Sequence, residues 1–199
     1  MRRMQSAIPR IPVIASAAVG LLMFAVLAAV RGLSPETAEL AVFAGILTYL
    51  SFIDVDERRI PNGCIIAAIV VRFAYFALAL AFGWMQLGEI GYYVLSAIAI
   101  GAVLFAVAIV AERVFGGESI GGGDLKLYAV AGLFFGWQLG IVAIALSCVL
   151  GIIAAIVLTR GNRGASGLEK GLFKRAMPFG PFIAVACAAV MIFGNILPV

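Results

Sequence analysis

Not one of the 199 residues is histidine, which removes Ser/His/Asp and Cys/His nucleophilic machinery, HExxH zinc hydrolysis and histidine-ligated haem from any chemistry this chain carries alone. The three cysteines, Cys64, Cys148 and Cys187, lie far apart in or beside apolar runs with no CxxC pair. Neither a zinc knuckle nor a disulfide framework is legible. Charge is scarce as well: 12% of residues are charged against 64% hydrophobic, where a soluble domain carries about a quarter charged and half apolar. With a mean hydropathy of +1.16, the composition is that of an integral membrane protein. The 23 glycines fit helices that approach closely in lipid, and nothing suggests a β-barrel. The net charge of +4, from 14 basic and 10 acidic residues, reports membrane topology in such a chain, and nucleic acid is not expected as a partner.

A hydrocarbon core of about 30 Å takes roughly 20 helical residues. Seven apolar runs stand between charges, glycines and prolines: Ile11–Val30, Pro35–Ile53, Cys64–Phe82, Ile90–Val110, Leu125–Phe135, Leu139–Leu158 and Pro181–Leu197. The first follows Arg2, Arg3 and Arg10, lacks a clear small-x-small exit site, and reads as a retained signal-anchor span. The fifth is short, about 11 residues or about 17 Å at 1.5 Å each, and charge parity decides that it counts. With seven spans and a cytoplasmic N-terminus, Arg2, Arg3, Arg10, Arg58, Arg59, Arg113, Lys126, Arg160, Arg163, Lys170, Lys174 and Arg175 lie inside. Only Arg31 lies outside, with Arg72 inside a span, whereas merging runs five and six exports the whole Arg160 to Arg175 loop.

The expected fold is therefore all-α, a polytopic transmembrane helical bundle of about seven spans with its N-terminus in the cytoplasm. Arg72 faces protein, snorkels to a headgroup or serves a substrate. The longest polar stretch, Arg160 to Met177, is a glycine-rich cationic loop, either solvated beside anionic lipid or a docking site for a partner.

Ionisable residues at the edge of a membrane helix are costly, so each is a functional candidate. Two clusters qualify: Asp54 to Asn62 immediately after span two, and Gly121 to Lys126 immediately before span five. Two spans separate them, an even number, so Asp54 and Asp124 emerge on the same side at similar depth. Two neighbouring carboxylates do not both ionise readily; one keeps a proton near neutral pH while the other stays charged. The charged member can take a proton from water attacking a peptide carbonyl, and the protonated member can donate to the carbonyl oxygen and then to the leaving nitrogen. No metal or cofactor is needed.

The surrounding residues admit two readings each. Gly121, Gly122 and Gly123 let backbone approach a substrate or adopt positive φ, and offer an edge for β-strand addition. Alternatively they form a flexible loop with Asp124 as helix N-cap. Asp54 alone also fits a solvated helix end, and Asp56 and Glu57 fit that role beside Arg58 and Arg59. Pro61 holds Ile60 extended, which makes a structured turn before span three. Met177-Pro178-Phe179-Gly180-Pro181 is a similar break before span seven, and both fit plain helix starts. Together with the glycines, these breaks place three non-helical segments around the aspartates.

At these residues the chain resembles the type IV prepilin peptidases, polytopic aspartic proteases of the GxGD class. Asp54 with Ile60-Pro61-Asn62 is similar to the family's first aspartate motif, Gly121-Gly122-Gly123-Asp124-Leu125-Lys126 to its GxGDxK motif, and Met177-Pro178-Phe179-Gly180-Pro181 to its PxGP segment. The resemblance covers roughly residues 40 to 190. It implies that Asp54 and Asp124 are the catalytic pair and that Ile60, Pro61, Asn62, Gly121, Gly122, Gly123, Lys126, Pro178, Gly180 and Pro181 form the active-site loops or bind substrate. It further implies cleavage of the short basic leader of prepilin or pseudopilin substrates, after a glycine, at the cytoplasmic face of the bacterial plasma (inner) membrane. Lipid and pilus assembly proteins are the other implied partners. Many members carry a cytoplasmic CxxC domain and N-methylate the product; without that loop, a peptidase-only, Tad/Flp-pilus-like branch is expected. Residues 1–34 then form an additional basic segment and anchor span, and 35–199 the catalytic domain.

Three rivals remain at this level. A presenilin-like or signal-peptide-peptidase-like intramembrane protease shares the GxGD class, but no PAL tripeptide is present. A small proton-coupled transporter also uses intramembrane carboxylates, though paired inverted repeats are not evident. The third is a structural assembly subunit with capped helices.

Overall fold

Each apolar run folds as a helix in the computed structural model, which describes residues 10–115, 121–161 and 178–194. The elements are α1 (Arg10–Arg31), α2 (Pro35–Glu57), α3 (Asn62–Ala81), α4 (Leu87–Phe115), α5 (Gly122–Gly161) and α6 (Gly180–Phe193). Among the described residues there is no strand, so the all-α membrane bundle stands as expected. The Arg160–Met177 loop lies almost entirely outside the described residues, as do the N-terminal Arg2 and Arg3.

Helix ends depart from the apolar runs where polar groups cap them. The second run ends at Ile53, yet α2 continues one turn to Glu57 and closes on Arg58, a left-handed residue (φ 53°, ψ 39°) whose N–H donates to the Asp54 carbonyl at 2.9 Å. Asp54 therefore sits in the last turn of α2, not after it. At the other end Ser34 caps α2, its hydroxyl accepting the Thr37 N–H at 3.1 Å, with Pro35 in the first turn. The carboxylate of Glu89 likewise accepts the Gln86 N–H at 2.9 Å, and α4 starts at Leu87, three residues before the run that forms it.

The fifth and sixth runs are continuous in α5 but do not lie in line. Gly136, at φ 76° and ψ 178°, is non-helical and divides α5 into arms 122–135 and 137–161. The arms fold back on one another. The Tyr128 and Ser147 hydroxyls, 19 residues apart, are hydrogen bonded at 2.5 Å, and a Cβ on Gly140 would lie 3.5 Å from the Gly132 Cα. In one straight helix 19 residues span about 28 Å. The short fifth run is therefore the first arm of a helical hairpin, as its separation from the sixth requires.

Small residues set the packing distances. A Cβ on Gly20 would stand 3.3 Å from the Ala41 carbonyl and one on Gly45 3.3 Å from the Ser16 carbonyl, so α1 and α2 cross backbone to backbone. Ile100 of α4 enters the groove beside Gly132 and Gly140 of the hairpin. α6, only 14 residues, occupies the middle of the bundle against α2 and α5, where Ile183, Cys187 and Met191 are fully buried with Phe43, Leu47 and Leu127. The exterior is apolar, with Leu21, Leu95 and Val103 each well over half exposed, as helices facing lipid require.

Candidate active site

Three chain breaks converge at one end of the bundle: the turn from Arg58 to Pro61, the start of α5 and the start of α6. Asp54 is buried there at 5% exposure, one of few acidic side chains withdrawn from solvent, and its Oδ2 accepts the Gly180 N–H at 2.7 Å. The donor is the first residue of α6, whose free N–H groups and dipole favour a carboxylate. Gly180 allows this approach because a Cβ would lie 2.9 Å from Asp54 Oδ2 and 3.0 Å from its Cβ. Pro181 occupies the first turn of α6, and Pro178 is half-buried just before it.

Asp124 is the third residue of α5, half-buried, and lies within electrostatic reach of Asp54. It is not the N-cap: Leu125 N–H donates to the Gly121 carbonyl at 3.2 Å, so helical bonding begins at Gly121. Gly122 and Gly123 are helical, and positive φ occurs among described glycines at Gly32, Gly83 and Gly136 only. The flexible loop, the positive φ and the strand-pairing edge expected of residues 121–123 are thus corrected. Of the three breaks expected to be non-helical, two are so.

The glycines instead serve close approach, and not equally. A Cβ at Gly123 would lie 2.8 Å from Ile60 Cβ, and one at Gly121 3.1 Å from Asp124 Oδ2, while Gly122 has nothing within 4 Å. The crowding falls where the G-x-G-D pattern has glycine, most severely at Gly123, and is absent where the pattern has x. Ile60, held extended by Pro61, packs directly on the α5 backbone. Two residues on, Asn62 Oδ1 accepts from Lys126 Nζ at 3.1 Å. Residues expected to bind substrate therefore engage each other, locking the Asp54 segment to the Asp124 segment. Asp56 and Glu57 are exposed, Glu57 pairing with Arg59 at 3.7 Å, so they take the solvated role. Among the described residues no group of three metal-ligating side chains occurs.

Arg72 faces protein. Its guanidinium is 3% exposed, pairs with Glu39 at 2.8 Å, and donates through Nε to the Leu133 carbonyl at 3.0 Å and through Nη2 to that of Phe134 at 3.3 Å. Sequence reasoning singled out Arg72 but missed Glu39, although an acid and a base in adjacent spans are a signal for such a pair.

No solved structure matches the chain significantly. A prepilin leader peptidase/N-methyltransferase of Pseudomonas putida is 30% identical over 166 residues, 82% of this chain and 52% of its own length. One of Stutzerimonas stutzeri is 28% identical over 82% of this chain and 52% of its own, and one of Burkholderia pseudomallei 29% over 81% and 48%. The chain thus spans about half the length of these relatives. The profile of the Type IV leader peptidase family matches residues 41–156, more than half of the chain and the part that holds both Asp54 and Asp124. With these aspartates brought together from segments 70 residues apart, the chain belongs to the Type IV leader peptidase family.

Proposed function

We propose that this protein is an aspartic endopeptidase of the bacterial inner membrane that removes the short basic leader of prepilin-like proteins at the cytoplasmic face, for Tad/Flp-like type IV pili. The observation that carries this reading is the meeting of Asp54 and Asp124 at one end of the bundle, with α6 donating a hydrogen bond to one of them. In the monoprotonated pair, the carboxylate accepts a proton from water as it attacks the scissile carbonyl. The carboxylic acid donates to the carbonyl oxygen and, as the tetrahedral intermediate collapses, a proton reaches the leaving nitrogen. Bonded to Gly180, Asp54 is held in one orientation, while burial and the neighbouring Asp54 raise the Asp124 carboxyl above its ordinary range, so that Asp124 carries the shared proton.

The catalytic unit is assigned to residues 35–199, with 1–34 as an added anchor. The relatives' names include N-methyltransferase activity; no CxxC pair occurs in these 199 residues, and the activity proposed for them is the peptidase alone. Incubation of the purified protein with a prepilin-like peptide tests both halves: cleavage after the leader glycine is expected, without methyl transfer from S-adenosylmethionine to the new terminus. An intact peptide under conditions where the protein is folded would refute the peptidase, and a methylated product its restriction.

A further inference from the structure

The helices that carry the aspartates, α2 and α5, have no extensive backbone contact; α6 and α3 stand between them. At the aspartate end they are linked through Ile60 on Gly123 and Asn62 on Lys126. Farther along, the link is Arg72, midway along α3. Its guanidinium holds Glu39 of α2 and two carbonyls at the end of the first α5 arm, Leu133 and Phe134, just before the reversal at Gly136. Beside it the Phe43 ring of α2 stacks on Phe134, with centroids 3.8 Å apart and planes within 8°. Phe76 and Tyr93 enclose the cation at 4.4 and 4.6 Å.

Helix lengths turn this distant clamp into a ruler. From Phe43 to Asp54 is eleven residues and from Phe134 to Asp124 ten, about 16 and 15 Å at 1.5 Å per residue. Two rigid arms of nearly equal length, pinned together at one end, bring their aspartates level at the other. A guanidinium is well matched to such a clamp, since its planar fork satisfies a carboxylate and two carbonyls at once, which a lysine cannot. The carbonyls it takes are among those that the end of a helix leaves unpaired.

We infer that Arg72, with Glu39, is a positioning residue that sets the register of Asp54 against Asp124 from about 15 Å away, near the middle of the bundle. This rests on the two-aspartate reading for its consequence in activity, but not for its geometry. A displacement of about 1 Å between the two carboxylates costs about 10²-fold in turnover. It also weakens their coupling, so their two apparent pKa values converge and a bell-shaped rate profile narrows.

The test uses the full chain in lipid nanodiscs. The variant Glu39→Leu/Arg72→Met replaces the pair with apolar groups of similar size, a change that leaves buried pairs neutral or more stable. Against the prepilin-like peptide, kcat is expected to fall about 10²-fold with KM unchanged and a narrower pH profile. Thiol cross-linking of Asn62→Cys with Lys126→Cys, with Cys64, Cys148 and Cys187 replaced by alanine, is expected to drop in the same background. A folded variant that keeps the parent kcat overturns the inference. So does a loss that merely follows the folded fraction, with profile shape and cross-linking unchanged. Should the double variant not fold, Arg72→Lys keeps the charge but not the fork, and is expected to lose about tenfold with the same narrowing; parental turnover there overturns the inference too. If the parent protein cleaves nothing, the peptidase reading fails, while the cross-linking yield still decides the clamp.

Discussion

Replacing Gly123 by alanine asks the most of the site with the least chemistry. The added Cβ would stand 2.8 Å from Ile60 Cβ and 3.2 Å from its Cγ1, about 0.6 Å inside ordinary contact. Rotation about χ1 moves Cγ1 but leaves Cβ where the backbone sets it, and Pro61 restricts that backbone. The turn and α5 must therefore separate by about half an ångström, at an overpacking cost of about 1–3 kcal/mol. Because Ile60 and Gly123 join the two aspartate segments, the displacement passes to the carboxylates, where catalytic geometry is held to about 0.5 Å. A loss of about 10- to 100-fold in kcat is expected, with KM little changed. Gly122→Ala, one residue away in open space, should retain nearly full turnover and stabilise the helix slightly, by up to about 1 kcal/mol. Initial rates of peptide cleavage, normalised to folded protein, make the comparison. In a double-mutant cycle, Ile60→Gly should partly restore Gly123→Ala, because it removes the atom that collides. Equal impairment at 122 and 123 would falsify contact as the reason for the glycines.

Asp54→Asn and Asp124→Asn should each abolish processing in an inserted protein, whereas Asp56→Asn keeps most activity. Cleavage assays on membranes decide, and the reverse result at Asp54 and Asp56 would transfer the catalytic role. Gly180→Ala should lower kcat about tenfold or more, since its methyl would press on the Asp54 carboxylate at 2.9 Å and disturb the 2.7 Å bond; unchanged rates would show that bond to be dispensable. Cysteines at Gln86 and Trp137 should be labelled by an impermeant maleimide from the same side, and one at Asp56 from the other. A cysteine at Gly161 labelled from the Gln86 side would contradict the reversal at Gly136, since the second arm must return to the Asp56 side.

Much of this was open to reading because it depends on local chemistry. An apolar run of 20 residues in lipid must satisfy its own backbone and so becomes a helix, whatever its neighbours. An even number of such helices between Asp54 and Asp124 brings both to one end, and the position of Pro61 and Gly180 marks where chain must turn. Helix ends were less legible, since the Arg58 and Glu89 caps carry helix beyond the hydrophobic run at Asp54 to Glu57 and at Leu87. What required the tertiary structure is everything that depends on who meets whom across helices. The motif glycines read in isolation as a flexible loop; Ile60 lying on Gly123 shows close packing there, whereas Gly122, helical like Gly123, stands in open space. Hydropathy alone does not separate a kinked α5 from a hairpin, which have the same apolar content; charge parity required a reversal between runs five and six, and Tyr128 on Ser147 shows it at Gly136. Nor could hydropathy join Arg72 to Glu39, 33 residues away, since a buried charge in sequence has a cost but no address, and the partner is chosen by packing.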